Sequence, residues 1–137
     1  VTIRKTMEQL SEKRLVCIID DNEDIRTIYK LKFEREGFPV ATAANGEEGL
    51  RIVREQHPAV ILLDIQMPVM DGLEALKILR SDEILKKIPV VILSNVDSDD
   101  MFQKVGDLGA AEYYLVKSLV DPQKVVDVTL EALSSIE

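Results

Sequence analysis

Three aspartates, a serine and a lysine stand where runs of apolar residues stop. Asp20 and Asp21 end LVCII, Asp64 ends AVILL, Ser94 ends PVVIL, and Lys117 follows YYLV. If those runs are parallel strands of one sheet, their C-terminal ends share a crevice and gather residues distant in sequence into one site. Magnesium suits such a set, because it takes hard oxygen ligands, keeps several waters, and needs only a few carboxylates beside phosphate oxygens. The converging carboxylates would repel one another, and a divalent cation together with the Lys117 ammonium would offset that repulsion. Phosphoryl transfer to a carboxylate asks for positioning and positive charge more than for acid–base groups. Asp64 could be the nucleophile, with Ser94 donating a hydrogen bond to one phosphoryl oxygen and Lys117 pairing with another. Each residue also has a plainer reading: Asp20 and Asp21 as caps of the next helix, Ser94 bonded to local backbone, Lys117 as a solvated charge. Jointly those readings require acid, acid, hydroxyl and amine to fall at four strand ends by chance, so the site is the stronger reading.

The elements that must position these residues follow from the pattern of apolar side chains. Residues 15–20, 59–63 and 89–93 are short, continuous, β-branched runs, as expected of central parallel strands covered on both faces. Helix-length segments lie between and after the strands, at 22–36, 46–56, 73–81, 98–108 and 121–134, giving five β–α units. Strand two, about 38–43, contains Pro39, which lacks a ladder donor and belongs on a sheet edge. That placement fits the order 2-1-3-4-5 of a doubly wound α/β domain. Asn45–Gly46 marks the start of helix two, Gly109 a left-handed C-terminal cap, and Asp121–Pro122 an N-cap followed by proline at the first helical position. Asp71–Gly72 reads most simply as a turn. Residues 1–13 stand outside the repeat as an N-terminal extension to a domain over 14–137. Ile3, Met7 and Leu10 fall at helical spacing there, which supports either an amphipathic helix against the core or a frayed tail.

Composition narrows the function class. The 137 residues suffice for one domain with its own core, and no apolar run approaches the roughly 18 residues of a membrane helix. A net charge of −8 and a pI near 4.7 disfavour nucleic acid and anionic membrane as partners. Cys17 lies inside the first apolar run and reads as a small core residue, which fits a reducing, cytoplasmic setting with no secretory signal. His57 precedes Pro58 at a loop-to-strand junction and reads as punctuation; a lone histidine forms no metal cluster. Val1 in place of an initiating methionine reads as a trimmed or excised segment.

With those residues in view, the chain resembles the receiver domain of two-component response regulators. VCIIDDNED, VILLDIQMPVMDGLE, IPVVILSN and GAAEYYLVKS are similar to that family's strand-end motifs in sequence order, over about residues 14–134. The resemblance implies a flavodoxin-like (βα)5 domain and a phosphorelay function, the phosphoryl group coming from a histidine kinase or a histidine phosphotransfer protein. It implies Asp64 as phosphoacceptor, Asp21 as a direct Mg2+ ligand, Asp20 as a ligand acting largely through water, and the Gln66 backbone carbonyl completing the protein's share of the metal shell. It further implies that Ser94 and Lys117 contact the phosphoryl group. Tyr114 would be an aromatic switch coupling Ser94 to a partner or effector surface on helix four, strand five and helix five. Two positions depart from the common pattern. Ser118 follows the lysine where proline is frequent, and Asn95 follows the hydroxyl residue where alanine or glycine is frequent.

Competing functions fit less well. A haloacid-dehalogenase-like phosphatase also uses an aspartate nucleophile with magnesium, but its second aspartate two residues on is replaced here by Gln66, and no cap domain is present. A receiver-like interaction module that takes no phosphate is disfavoured by the complete acid, hydroxyl and lysine set. Dinucleotide or flavin binding fits worst, because Asp20–Asp21–Asn22 stands where a phosphate-binding loop would follow strand one.

Overall fold

A computed structural model describes residues 14–109 and 111–134. Five parallel strands, β1 Val16–Ile19, β2 Val40–Ala43, β3 Val60–Leu63, β4 Val90–Ser94 and β5 Tyr113–Val116, form one sheet in the order β2-β1-β3-β4-β5. Five helices alternate with them: α1 Glu23–Arg35, α2 Gly46–Gln56, α3 Gly72–Ser81, α4 Asp99–Asp107 and α5 Pro122–Ser134. The apolar runs are unbroken because both faces of the central strands are covered. Cys17, Ile19, Ile61, Leu63, Val90 and Ile92 point into one core with residues of α2 and α3. Their neighbours Val16, Ile18, Val60, Leu62, Val91 and Leu93 point into the other, with Tyr29 and Phe33 of α1 and Val125 and Val126 of α5. The amphipathic extension read over residues 1–13 lies outside the described residues. Among the described residues no helix is long and apolar enough to cross a membrane.

Local chemistry sets the boundaries. Side chains of Asn22, Asn45, Asp71 and Ser98 accept from the N–H groups of Ile25, Glu48, Glu74 and Met101, capping α1 to α4. Asp121 does the same for Lys124 at the start of α5. Gly109 takes φ +60° after α4, as its sequence position predicts, and His57 closes α2 in the left-handed region at φ 46°. Edge strand β2 begins one residue after Pro39, whose carbonyl accepts from Val16 N at 3.0 Å, so the proline joins the ladder through its acceptor alone. Asp71–Gly72 proves to be a helix start, with Asp71 as cap and Gly72 as first helical residue. The chain after Lys117 forms a short 3-10 turn over Lys117–Leu119, the conformation Ser118 adopts where proline is frequent.

Candidate functional site

The sheet delivers its charged residues to one edge. Asp20 and Asp64 each stand one residue past a strand, and the ladder extends to them: Asp20 N donates to Ala43 O at 3.0 Å and Asp64 N to Ile19 O at 2.9 Å. Ser94 is the last residue of β4 and Lys117 the first after β5. Carboxylate oxygens of Asp20, Asp21 and Asp64 lie within 4.8 Å of one another. Asp21 is exposed at the rim, whereas Asp20 and Asp64 are only 2% and 5% exposed.

Buried carboxylates require partners. Lys117 supplies one to both, its Nζ lying 2.9 Å from Asp20 Oδ2 and 3.2 Å from Asp64 Oδ2. The other oxygens accept from backbone: Asp20 Oδ1 from Asn22 N at 2.9 Å, Asp64 Oδ1 from Ile65 N at 2.7 Å. Burial pushes the Asp20 carboxyl above its ordinary pKa, against the opposing bonds from Lys117 and Asn22. Burial pulls the Lys117 ammonium down, but its hydrogen bond to Asp20 and the charges of Asp64 and Asp20 outweigh this and leave it raised. Three carboxylates and one ammonium leave an excess of negative charge at this edge of the sheet. An oxygen-lined cluster of that charge fits Mg2+.

The remaining sequence candidates fall into place unequally. Ser94 is fully buried, and its Oγ accepts from Val96 N at 3.2 Å, the local backbone bond that was its plainer reading. Gln66 is exposed, two residues beyond Asp64. Tyr114 is half-buried against the core, its hydroxyl donating to Val96 O at 2.6 Å. Burial first, then the charges of Asp64 and Asp97, raise its phenol pKa. Asn95 is exposed beside the crevice.

Two features escaped the sequence reading. Gly72 N donates to Ile65 O at 2.7 Å, and a Cβ at position 72 would lie 2.0 Å from the Asp64 carbonyl oxygen, so only glycine lets α3 approach Asp64 this closely. The available signal was Glu74, three residues after Asp71, which makes the pair a capping sequence rather than a bare turn. The second feature is Val69, at φ 70° and 74% exposed, with Met70 N donating to Pro68 O at 2.8 Å. That three-residue bond with positive central φ is a γ-turn of the strained kind, unusual for a β-branched residue. Met70 O in turn accepts from Gly46 N at 2.9 Å and ties the loop to α2.

Comparison with known proteins adds the following. The family model for the response regulator receiver domain matches residues 16–129. Transcriptional regulatory protein AfsQ1 of Streptomyces coelicolor is 36% identical over 118 residues, which span 86% of this chain but 50% of that protein. Sporulation initiation phosphotransferase F of Bacillus subtilis is 37% identical over 99 residues, covering 72% of this chain and 78% of that protein. The structure of the receiver domain of Francisella response regulator 1452 superposes with a TM-score of 0.81 at 30% identity, covering 90% of this chain and 99% of the other.

Proposed function

The chain belongs to the response regulator receiver domain family, and on that premise we propose that it is a phosphorylation-controlled switch whose phosphoacceptor is Asp64. A histidine kinase or phosphotransfer protein presents a phosphohistidine. A carboxylate oxygen of Asp64 forms a bond to phosphorus, the phosphorus–nitrogen bond breaks, and its electron pair returns to the imidazole, which leaves the Asp64 side chain as an acyl phosphate. Later attack by water returns Asp64 and releases inorganic phosphate, so the chain acts on its own side chain rather than on a separate substrate.

The observation that carries this reading is the double engagement of Lys117 with Asp20 Oδ2 and Asp64 Oδ2 beside a three-carboxylate cluster. Lys117 holds the Asp64 carboxylate in place and would neutralise a phosphoryl oxygen as charge develops. Asp20, Asp21 and Asp64, with the Gln66 carbonyl, would hold Mg2+; when bound it balances the negative charge of phosphoryl oxygens and carboxylates together. Ser94 would turn its hydroxyl proton to a phosphoryl oxygen, and Tyr114 would carry the change to the surface of α4, β5 and α5. Partner and effector are proteins on this reading, in a reducing cytoplasmic setting that suits the free buried thiol of Cys17. The domain comprises residues 14–137, with 1–13 as an extension.

Incubation with a small phosphodonor tests the proposal. Intact-mass spectrometry is expected to find one added phosphoryl group in the presence of Mg2+, none after chelation, and none in Asp64→Asn. Equal labelling of Asp64→Asn and the parent would overturn the assignment, and no labelling of the parent would favour an interaction module that takes no phosphate.

A further inference from the structure

Val96 is held from both sides: its N–H by Ser94 Oγ at 3.2 Å, its carbonyl by the Tyr114 hydroxyl at 2.6 Å. Val96 thus links the phosphoryl-side hydroxyl and the tyrosine through its two flanking peptide units. Farther along the same segment, the Phe102 ring on α4 meets the Tyr114 ring edge to face, with centroids 4.7 Å apart and planes at 84°. Phe102 is 39% exposed, on a helix in which Val105 is the one buried residue. Part of its surface stays open to solvent, and the ring contact with Tyr114 is the specific aromatic contact it makes. Val96, Met101 and Tyr114 are partly buried against the same core, so the start of α4 and the groups that hold the tyrosine are packed together.

We propose that Phe102 is a positioning residue that holds Tyr114 against Val96 before any phosphoryl group arrives, so that the resting protein already populates the arrangement phosphorylation favours. The inference rests on the reading of Tyr114 as the switch given above. An edge-to-face pair contributes enough beyond area burial to shift a two-state population roughly two- to tenfold. Such a bias raises output without phosphate and narrows the step that phosphate adds, because a ligand can shift an equilibrium only as far as its two states differ. The aromatic pair would then set the dynamic range of the switch while taking no part in the chemistry at Asp64.

Fluorine NMR of protein grown with 3-fluorotyrosine tests this directly, since the chain has three tyrosines, Tyr29, Tyr113 and Tyr114. Tyr114→Phe assigns the resonance. Tyr29 and Tyr113 pack in the opposite core and report an intact fold in every variant. Without phosphodonor, the parent Tyr114 resonance is expected near its position with beryllofluoride and Mg2+. Phe102→Leu, which keeps an apolar side chain but removes the ring, is expected to move the resonance toward the solvent-exposed position, with a two- to tenfold smaller inward population. Phe102→Trp is expected to restore it. A resting Tyr114 resonance identical in Phe102→Leu and the parent, or Phe102→Trp displaced as far as Phe102→Leu, would overturn the proposal. Because this comparison is made without phosphate, it stands apart from the phosphoacceptor reading, whose failure would show as no response of any variant to beryllofluoride.

Discussion

Lys117→Met should turn the crevice from a stabilised cluster into a pair of opposed buried charges. The ammonium is 2.9 Å from Asp20 Oδ2 and 3.2 Å from Asp64 Oδ2, with the three side chains 15%, 3% and 6% exposed. Removing one partner of a buried ion pair costs about 3–5 kcal/mol, because the other charge is left uncompensated. Each carboxylate keeps one backbone donor here, Asn22 N–H for Asp20 and Ile65 N–H for Asp64, which places the expected loss at the lower end, about 3 kcal/mol. For a chain of this size that corresponds to a fall in Tm of about 6–15 °C. A divalent ion that binds only the folded state returns about 2.7 kcal/mol at one hundred times its Kd. With no ammonium opposing the cation, Lys117→Met should bind Mg2+ more tightly than the parent and gain more from it, so thermal melts should separate the two proteins widely in chelator and less with metal. A Lys117→Met melt within about 2 °C of the parent in chelator, less than the shift of about 1 kcal/mol, would refute the electrostatic account of the crevice.

Three other outcomes follow from particular contacts. Gly72→Ala places a Cβ 2.0 Å from the Asp64 backbone oxygen, which cannot rotate away, so a loss of about 1–3 kcal/mol by urea titration and weaker Mg2+ binding by calorimetry are both expected. Gly106→Ala meets nothing within 4 Å and should stabilise α4 by about 0.5–1 kcal/mol, whereas Gly109→Ala, at φ 60°, should cost about 1–2 kcal/mol; urea midpoints moving in the same direction for both would contradict the backbone assignment. Burial, then the charge of Glu48, pushes the Cys17 thiol from 9.0 to about 12, so the folded chain holds that proton longer than the unfolded one. Its contribution is complete below the unfolded value and is lost as pH rises from 9.0 toward about 12. Tyr29, raised from 10.0 to about 12 by burial and then by Asp121 and Asp20, adds a slope of the same sign. Cys17→Ala should flatten the alkaline fall in stability without abolishing it, and an unchanged slope would count against a buried protonated thiol.

The sheet and its acids were legible because both depend on short-range pattern. Strands covered on both faces must be apolar throughout, so the abrupt change to Asp20, Asp64 and Lys117 marks the sheet edge directly in the sequence. Pro39 pointed to an edge position for strand two, which fits the order found, though the strand itself begins at Val40, since a residue without an N–H can offer the ladder only its carbonyl. What was not legible depends on approach between elements. Asp71–Gly72 looks like a turn because glycine usually signals positive φ. Gly72 instead meets the backbone of Asp64, and no local pattern records that distance.

On the proposed function, the same distinction separates the residues of phosphoryl chemistry from those that carry the signal. Asp20, Asp64 and Lys117 are fixed by strand ends whose ladder bonds continue to the aspartates, so their geometry is inherited from the stiffest part of the fold. Ser94, Val96, Tyr114 and Phe102 are joined instead by two hydrogen bonds and one ring contact across a loop and a helix with a single buried residue. An element held that lightly can be repositioned by a change of about 1–2 kcal/mol, the scale of one added or lost hydrogen bond, without disturbing the sheet. On the proposed function, a crevice that fixes its charges and an output face that responds to them are built from different parts of one chain. The loop between Ser94 and α4 is the place where substitutions should alter signalling while sparing chemistry.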